Sequence, residues 1–348
     1  MELLRVENLR ISFSTPAGQV QAVRGVSFSL LAGQTLCLVG ESGSGKSVTS
    51  RAIMGILGEN ARILGGKIWF EGRDLLAISE REHTAIRGSR IAMVFQDPLS
   101  SLNPILRIGR QITEVMRLKG GLTRQQARKK ALRLLQEVGI RDPERCFDQF
   151  PFQLSGGQRQ RIVIAIALAA DPQVLICDEP TTALDVTIQA QILELLQRLQ
   201  KQRQLALLVS THDCGVVANM ASHSAVMDAG QIVERGTAEE IFYDPRHPYT
   251  WSLLSSMPDL HTAGRLYSIA GTPPDMTHPP VGDAFAPRNP WALEIDFEQP
   301  PPVYRLSDTH EAATWLLHPD APPVQMPQIL AQRIREGGGL AGGEVAGN

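Results

Sequence analysis

Eight residues near the start of the chain, Gly40-Glu41-Ser42-Gly43-Ser44-Gly45-Lys46-Ser47, have the spacing GxxxxGK[ST] of a phosphate-binding loop. Glycines let successive backbone N–H groups converge on phosphate oxygens, and the N-terminus of a following helix adds partial positive charge. In such a loop Lys46 reaches the β- and γ-phosphates, and the Ser47 hydroxyl holds Mg²⁺. A chance glycine-rich turn is the competing reading. The surroundings argue against it: an apolar run, Thr35–Val39, leads into the loop, and a helix-like stretch from Lys46 through Val48 to Leu57 leaves it.

A second element, VLICDEP (Val174 to Pro180), is an apolar strand with two carboxylates at its C-terminal end. There Asp178 is suited to bind Mg²⁺ through water, and Glu179 to polarise an attacking water as general base. By itself such a pair is often only a solvated strand end; beside a phosphate loop it acquires a role. A third element, LSGGQ (Leu154 to Gln158), is another serine-and-glycine turn before an apolar helix, hence a second candidate phosphate-binding nest.

The elements that must position these residues follow from periodicity. Leu9, Ile11 and Phe13 alternate with polar residues, as Val23 to Leu30 do in part, which predicts half-buried N-terminal strands. The segment 123–138 reads as an amphipathic helix: Thr123 and Gln126 form a capping box, Ala127, Ala131, Leu134, Leu135 and Val138 share a face, and Gly139 ends it. Its basic residues (Arg124, Arg128, Lys129, Lys130, Arg133) read as a solvated face. Val174–Cys177 and Leu205–Ser210 read as buried strands with a helix, Val186–Leu199, between them, an order that implies a parallel sheet covered by helices. A hairpin around Asp228–Gly230 and a helix opened by Thr237 with Glu240 follow. Residues 271–348 hold 13 of the 23 prolines, so this tail is not expected to form a regular layer, and its last dozen residues are expected to be disordered.

Composition narrows the class. The 34 Lys and Arg against 36 Asp and Glu leave a charge of −2, which argues against a basic nucleic-acid binder. The longest apolar run, Ile162 to Ala170, is far short of the roughly 20 residues a membrane span needs. The start, MELLRVENLR, lacks the apolar core of a signal peptide. Cys37, Cys146, Cys177 and Cys214 form no CxxC pair, so neither a zinc site nor a disulfide framework is expected, and Cys177 reads as a small buried apolar residue.

GESGSGKS, LSGGQ and VLICDEP, in this order, resemble the ATP-binding subunits of ABC transporters. The resemblance spans about residues 3–235 and includes Gln96 in VFQDP, Ala183-Leu184-Asp185 and His212 in VSTHD. It implies an α/β P-loop ATPase with a mixed core sheet, an N-terminal antiparallel β-subdomain and a helical subdomain at about 97–155 that docks on a permease. Residues 236–348 would be a small proline-rich C-terminal extension.

The resemblance also implies roles. Residues Gly40 to Val48 bind ATP. Gln96 touches Mg²⁺ and the water and relays ATP binding to the membrane subunit. Ser155, Gly156, Gly157 and Gln158 bind the γ-phosphate held by the opposite subunit, with Asp185 at that dimer interface. His212 is similar to the switch histidine on the γ-phosphate; a lone histidine is more often structural, but this one follows a buried strand ending in Ser-Thr. Phe13 matches an aromatic that stacks on adenine, although core packing beside Leu9 and Ile11 is a serious rival.

Several segments are more specific. GESGSGKSVTS, VFQDPLSSLNP, DEPTTALDVTIQAQIL and RHPYT (Arg246–Thr250) resemble the ATPases of oligopeptide and dipeptide importers, the first and third more the D-type than the F-type subunit. That likeness implies an F-type ATPase partner, two permease chains, an extracytoplasmic binding protein and a peripheral position on the cytoplasmic face of the inner membrane. Nickel, metallophore, glutathione and some sugar importers share the branch. The branch usually carries four iron–sulfur-like cysteines, the first two in a frame PxGCxFxPRCP. Here PPVGDAFAPRNPW keeps the frame, but Asp283, Asn289, Asp296 and Thr314 stand where the thiols would, so no cluster is expected. The retained Pro280, Gly282, Phe285, Pro287 and Arg288 imply a packed loop. Two other classes carry related motifs, soluble ATPases of DNA repair or chromosome structure and translation-associated factors. The first usually bring coiled coils or zinc modules and the second two P-loops, none of which occurs here.

Overall fold

The computed structural model describes residues 1–119, 121–182, 184–257 and 268–336. Twelve strands are described. The first five are β1 (Glu2–Thr15), β2 (Gly18–Leu31), β3 (Thr35–Val39), β4 (Ala61–Phe70) and β5 (Arg73–Asp74). Then come β6 (Ile91–Val94), β7 (Val174–Asp178), β8 (Ala206–Thr211), β9 (His223–Asp228), β10 (Gln231–Thr237), β11 (Val303–Arg305) and β12 (Glu311–Ala313). They form an antiparallel sheet in the order β2-β1-β4-β5 and an eight-stranded sheet in the order β11-β12-β10-β9-β3-β8-β7-β6. In the larger sheet β9, β3, β8, β7 and β6 are parallel, and the β10, β12 and β11 edge is antiparallel.

The parallel strands are apolar at nearly every position because both faces are covered. Alternate residues supply the two cores. Cys37, Leu175, Cys177, Leu207 and Val209 face the helices Gly156–Leu168 and Val186–Arg203 and the helical insert. Leu36, Leu38, Val174, Ile176 and Leu208 face the antiparallel sheet and the helix Lys46–Ile53. Burial raises the Cys177 thiol to about 12, as suits an inert core residue.

The insert comprises Pro98–Ser101, Ile108–Leu118, Arg124–Glu137 and Pro143–Asp148. Arg124–Glu137 has the expected Thr123–Gln126 capping box and buries Ala127, Ala131, Leu134 and Leu135. Its basic face is less idle than expected: Lys130 pairs with Asp171, and Arg128 lies 5.2 Å from the Phe147 ring. The helix from Lys46 ends at Ile53 rather than Leu57, where Gly55 takes φ 62°. No helix among the described residues is long and apolar enough to cross a membrane.

The expectation that the proline-rich tail forms no regular layer is overturned in part. Glu311 and Ala312 pair with Arg235 and Glu234 of β10, so the β11–β12 hairpin completes the edge of the core sheet. The prolines flank this hairpin, where no ladder donor is lost. A buried polar junction fixes the seam. The Glu234 carboxylate accepts from His310 Nε2 at 2.8 Å, and from the backbone N–H groups of Arg246 (2.6 Å) and His247 (3.1 Å). Strand β10 crosses the boundary expected at residue 235, and the dozen tail residues expected to be disordered, 337–348, lie outside the described residues.

Candidate active site

Strand β3 delivers the phosphate loop at its C-terminal end, next to β8 and one strand from β7, so the loop, the β7 carboxylates and the end of β8 converge. Gly40 has φ 157°, and a Cβ there would sit 2.1 Å from the Met227 carbonyl oxygen. At Gly45, φ is 100° and a Cβ would lie 2.6 Å from the Ala22 carbonyl oxygen. Only glycine permits this close wrap.

Lys46 is buried and donates from Nζ to the carbonyls of Gly40 (2.7 Å) and Glu41 (2.8 Å) and to Ser44 Oγ (3.2 Å). Desolvation pulls its pKa down, while the charges of Glu179, Asp178 and Glu41 push it back. Ser47 Oγ donates to Asp178 Oδ1 at 2.7 Å, and Ser210 Oγ to the same oxygen at 2.6 Å. Serine hydroxyl, carboxylate and the Gln96 amide oxygen are hard donors of the kind Mg²⁺ takes, so this group fits that ion. Among the described residues no cluster of three or more His, Cys, Asp or Glu side chains could hold a metal.

Glu179 carries φ 48°, a left-handed conformation that costs a non-glycine residue energy and turns the chain sharply after β7. Its carboxylate accepts from Gln96 Nε2 and Thr182 Oγ1, both at 2.9 Å, and its Oε1 lies 3.3 Å from His212 Nδ1. Lys46, Ser47, Val48, Gln96, Glu179 and His212 line one open cavity of about 870 Å³. One chain thus assembles a buried ammonium, a set of hard oxygen donors and a second carboxylate held by three side chains.

The other expected residues lie elsewhere. Ser155 caps the helix Gly156–Leu168 in a capping box with Gln158, and Asp185 caps Val186–Arg203 through the Ile188 N–H. Ser155, Gly156, Gln158 and Asp185 are exposed, Gly157 is half-buried, and none of the five lines the cavity. Ala183 lies outside the described residues. Phe13 is half-buried on β1 opposite Val20 and Ala61 and packs against the core between the sheets; it does not line the cavity either.

Sequence reasoning missed several neighbours. Thr182 and Ala22 line the cavity, as do Leu253, Ser256, Ser268, Ile269 and Pro273 from the C-terminal region. Tyr249, within RHPYT, accepts the Glu41 backbone N–H at 2.9 Å. The only local signal for these was the motif that carries Tyr249. The frame residue Phe285 packs edge-on against Tyr249, with ring centroids 5.2 Å apart. The four positions where thiols were expected are all buried. Asp283, Asn289 and Thr314 accept from the N–H two residues on, and Asp296 accepts from the Leu293 N–H. These oxygens close tight turns, as expected of a packed loop.

Comparison with known proteins agrees with this geometry. The family model described as "ABC transporter" matches residues 23–182, and "Oligopeptide/dipeptide transporter, C-terminal region" matches residues 233–295. An AAA-domain model (putative AbiEii toxin) matches residues 147–218. The oligopeptide transport ATP-binding protein OppD of Bacillus subtilis (strain 168) is 57% identical, over 96% of this chain and 94% of its own. The dipeptide transport ATP-binding protein DppD of Lactococcus lactis subsp. cremoris (strain MG1363) is 56% identical, over 93% of each. Among solved structures, a dimeric ATP-binding cassette in a post-hydrolysis state with ADP and Pi aligns with TM-score 0.61 and 27% identity. The alignment covers 68% of this chain and 98% of that one.

Proposed function

The chain belongs to the ATP-binding subunits of ABC transporters, in the oligopeptide/dipeptide branch, and from that membership we propose that it couples ATP hydrolysis to uptake of di- and oligopeptides. The carrying observation is the single cavity that joins Lys46, Ser47, Gln96, Glu179 and His212 in a chain more than half identical to peptide-transport ATPases.

In this reading the amides of residues 40–48 and Lys46 bind the polyphosphate of ATP. Ser47, Asp178 and Gln96 hold Mg²⁺, which when bound neutralises phosphate charge. Glu179 takes the proton of the attacking water, while Gln96, Thr182 and His212 orient its carboxylate. By its likeness to the family's aromatic, Phe13 stacks on adenine, although it lies outside the cavity lining. Ser155, Gly156, Gly157, Gln158 and Asp185, all outside this cavity's lining, serve the ATP of an opposing F-type subunit, and that subunit's counterparts serve the ATP bound here. The helical insert docks on two permease subunits fed by an extracytoplasmic binding protein, so the chain sits at the cytoplasmic face of the inner membrane. Asp283, Asn289, Asp296 and Thr314 offer no thiolate, so protein purified without oxygen should hold no stoichiometric iron.

The test is reconstitution. The chain, its partner ATPase and the permeases are assembled in vesicles, and ATPase activity is measured with peptide-loaded binding protein. Stimulation by di- or oligopeptides is expected. Stimulation by nickel complexes or glutathione but not by peptides would overturn the solute assignment, and failure to assemble with any permease would overturn the transport role.

A further inference from the structure

Glu41 is an awkward residue for the place it occupies. It is the second residue of a loop that must attract a polyphosphate, and its charge already acts on Lys46. A free carboxylate there opposes binding of an anion. The structure supplies a counter-charge from 247 residues further along the chain. Arg288 Nη1 lies 2.6 Å from Glu41 Oε2, and Nη2 lies 3.2 Å from Asp228 Oδ1 at the end of β9.

The Arg288 side chain is 3% exposed. Its guanidinium sits 5.1 Å from the Phe285 ring centre and 5.8 Å from that of Tyr249, and the Tyr249 hydroxyl in turn accepts the Glu41 N–H. Two carboxylates and two ring faces therefore fix one cation, an arrangement that suits the planar fork of arginine. Burial raises the Asp228 carboxyl to about 6 against the pull of Arg288, so the guanidinium stands in a dry, weakly screened setting.

Resting on the ATP-binding reading above, we propose that Arg288 is a positioning residue that neutralises Glu41, so that the phosphate loop presents its amides and Lys46 without a competing negative charge. The C-terminal region is thereby a working part of the nucleotide site. Displacing Arg288 exposes Glu41 to the phosphates and weakens nucleotide binding with the chemistry otherwise intact.

The test is a charge-rescue series on the full chain, with affinity for ADP in the presence of Mg²⁺ read by calorimetry and thermal melting read alongside. Arg288→Gln should weaken binding about tenfold, and adding Glu41→Gln to it should restore affinity to within about threefold of wild type. In the assembled transporter Arg288→Gln should raise KM for ATP more than it lowers kcat. A purely structural role gives no rescue, because the double variant lacks both halves of the contact; a double variant as weak as the single, or a single variant binding normally, overturns the proposal. Should Arg288→Gln fail to fold, Arg288→Lys and Arg288→Met are compared: the retained charge should leave the lysine variant the tighter binder although it lacks the fork, and equal affinities in the two folded variants overturn the proposal. A wild-type chain that binds no ADP sinks the ATP-binding reading itself, whereas a wild-type binder with insensitive variants sinks only the role of Arg288.

Discussion

Gln96 Nε2 donates to Glu179 Oε2 over 2.9 Å, tying the chain just beyond β6, where the helical insert begins, to the carboxylate at the end of β7. Thr182, in the same turn as Glu179, and His212, just after β8, approach the same carboxylate. A single hydrogen bond thus joins the start of the insert to Glu179.

Glu179→Gln removes the carboxylate proposed as base but keeps an acceptor oxygen for Gln96 and Thr182. Nucleotide binding should survive while turnover in the assembled transporter falls about 10²–10⁴-fold. Single-turnover hydrolysis near the wild-type rate would remove Glu179 from that role.

Lys46→Ala acts at the other end of the cavity. It deletes a buried ammonium suited to charge-assisted contacts with phosphate, so affinity for Mg-ATP should fall about tenfold or more, while melting without nucleotide changes less. Calorimetry showing unchanged affinity would count against the phosphate-loop assignment.

Ser155, Gly156, Gly157, Gln158 and Asp185 do not line the cavity that holds Lys46. The chain alone should therefore hydrolyse ATP slowly, and addition of its ATPase partner and the permeases should raise the rate. Full activity in a monomer verified by light scattering would contradict a shared site.

Asp283 provides a pH test. Burial raises its carboxyl to about 6 from an ordinary 3.8, so the fold favours the protonated form. Its contribution to stability is fully present below about pH 4 and is lost as pH rises through about 6. Asp283→Asn keeps an acceptor for the Phe285 N–H without the charge. It should stabilise the protein by on the order of 2 kcal/mol near neutral pH and change little near pH 4. Denaturant unfolding at both pH values decides this; an equal effect at both would mean that Asp283 is not the titrating group.

The residue sequence by itself determined what lies within one strand, one turn and one helix. Thr35–Val39 followed by glycines and Lys46 marks a buried strand and a glycine-dependent turn, and the structure agrees, since a Cβ at Gly40 or Gly45 would strike backbone. Thr123 with Gln126 and Thr237 with Glu240 start helices where their side chains satisfy orphan N–H groups, which is local chemistry and so readable. The motif order also marked Gln96, Asp178, Glu179 and His212. What only the tertiary structure decided is how distant segments meet. Proline counting assigned the tail no layer, yet Glu311–Ala313 pairs with β10, since a short edge strand leaves little periodic trace. No periodicity relates Arg288 to Glu41 or Tyr249 to the Glu41 N–H; those contacts exist because the folded C-terminal region packs against the phosphate loop. Pairings across 200 residues depend on where the whole chain lays down its sheet edge and loops, and that is set by the packing of both cores together.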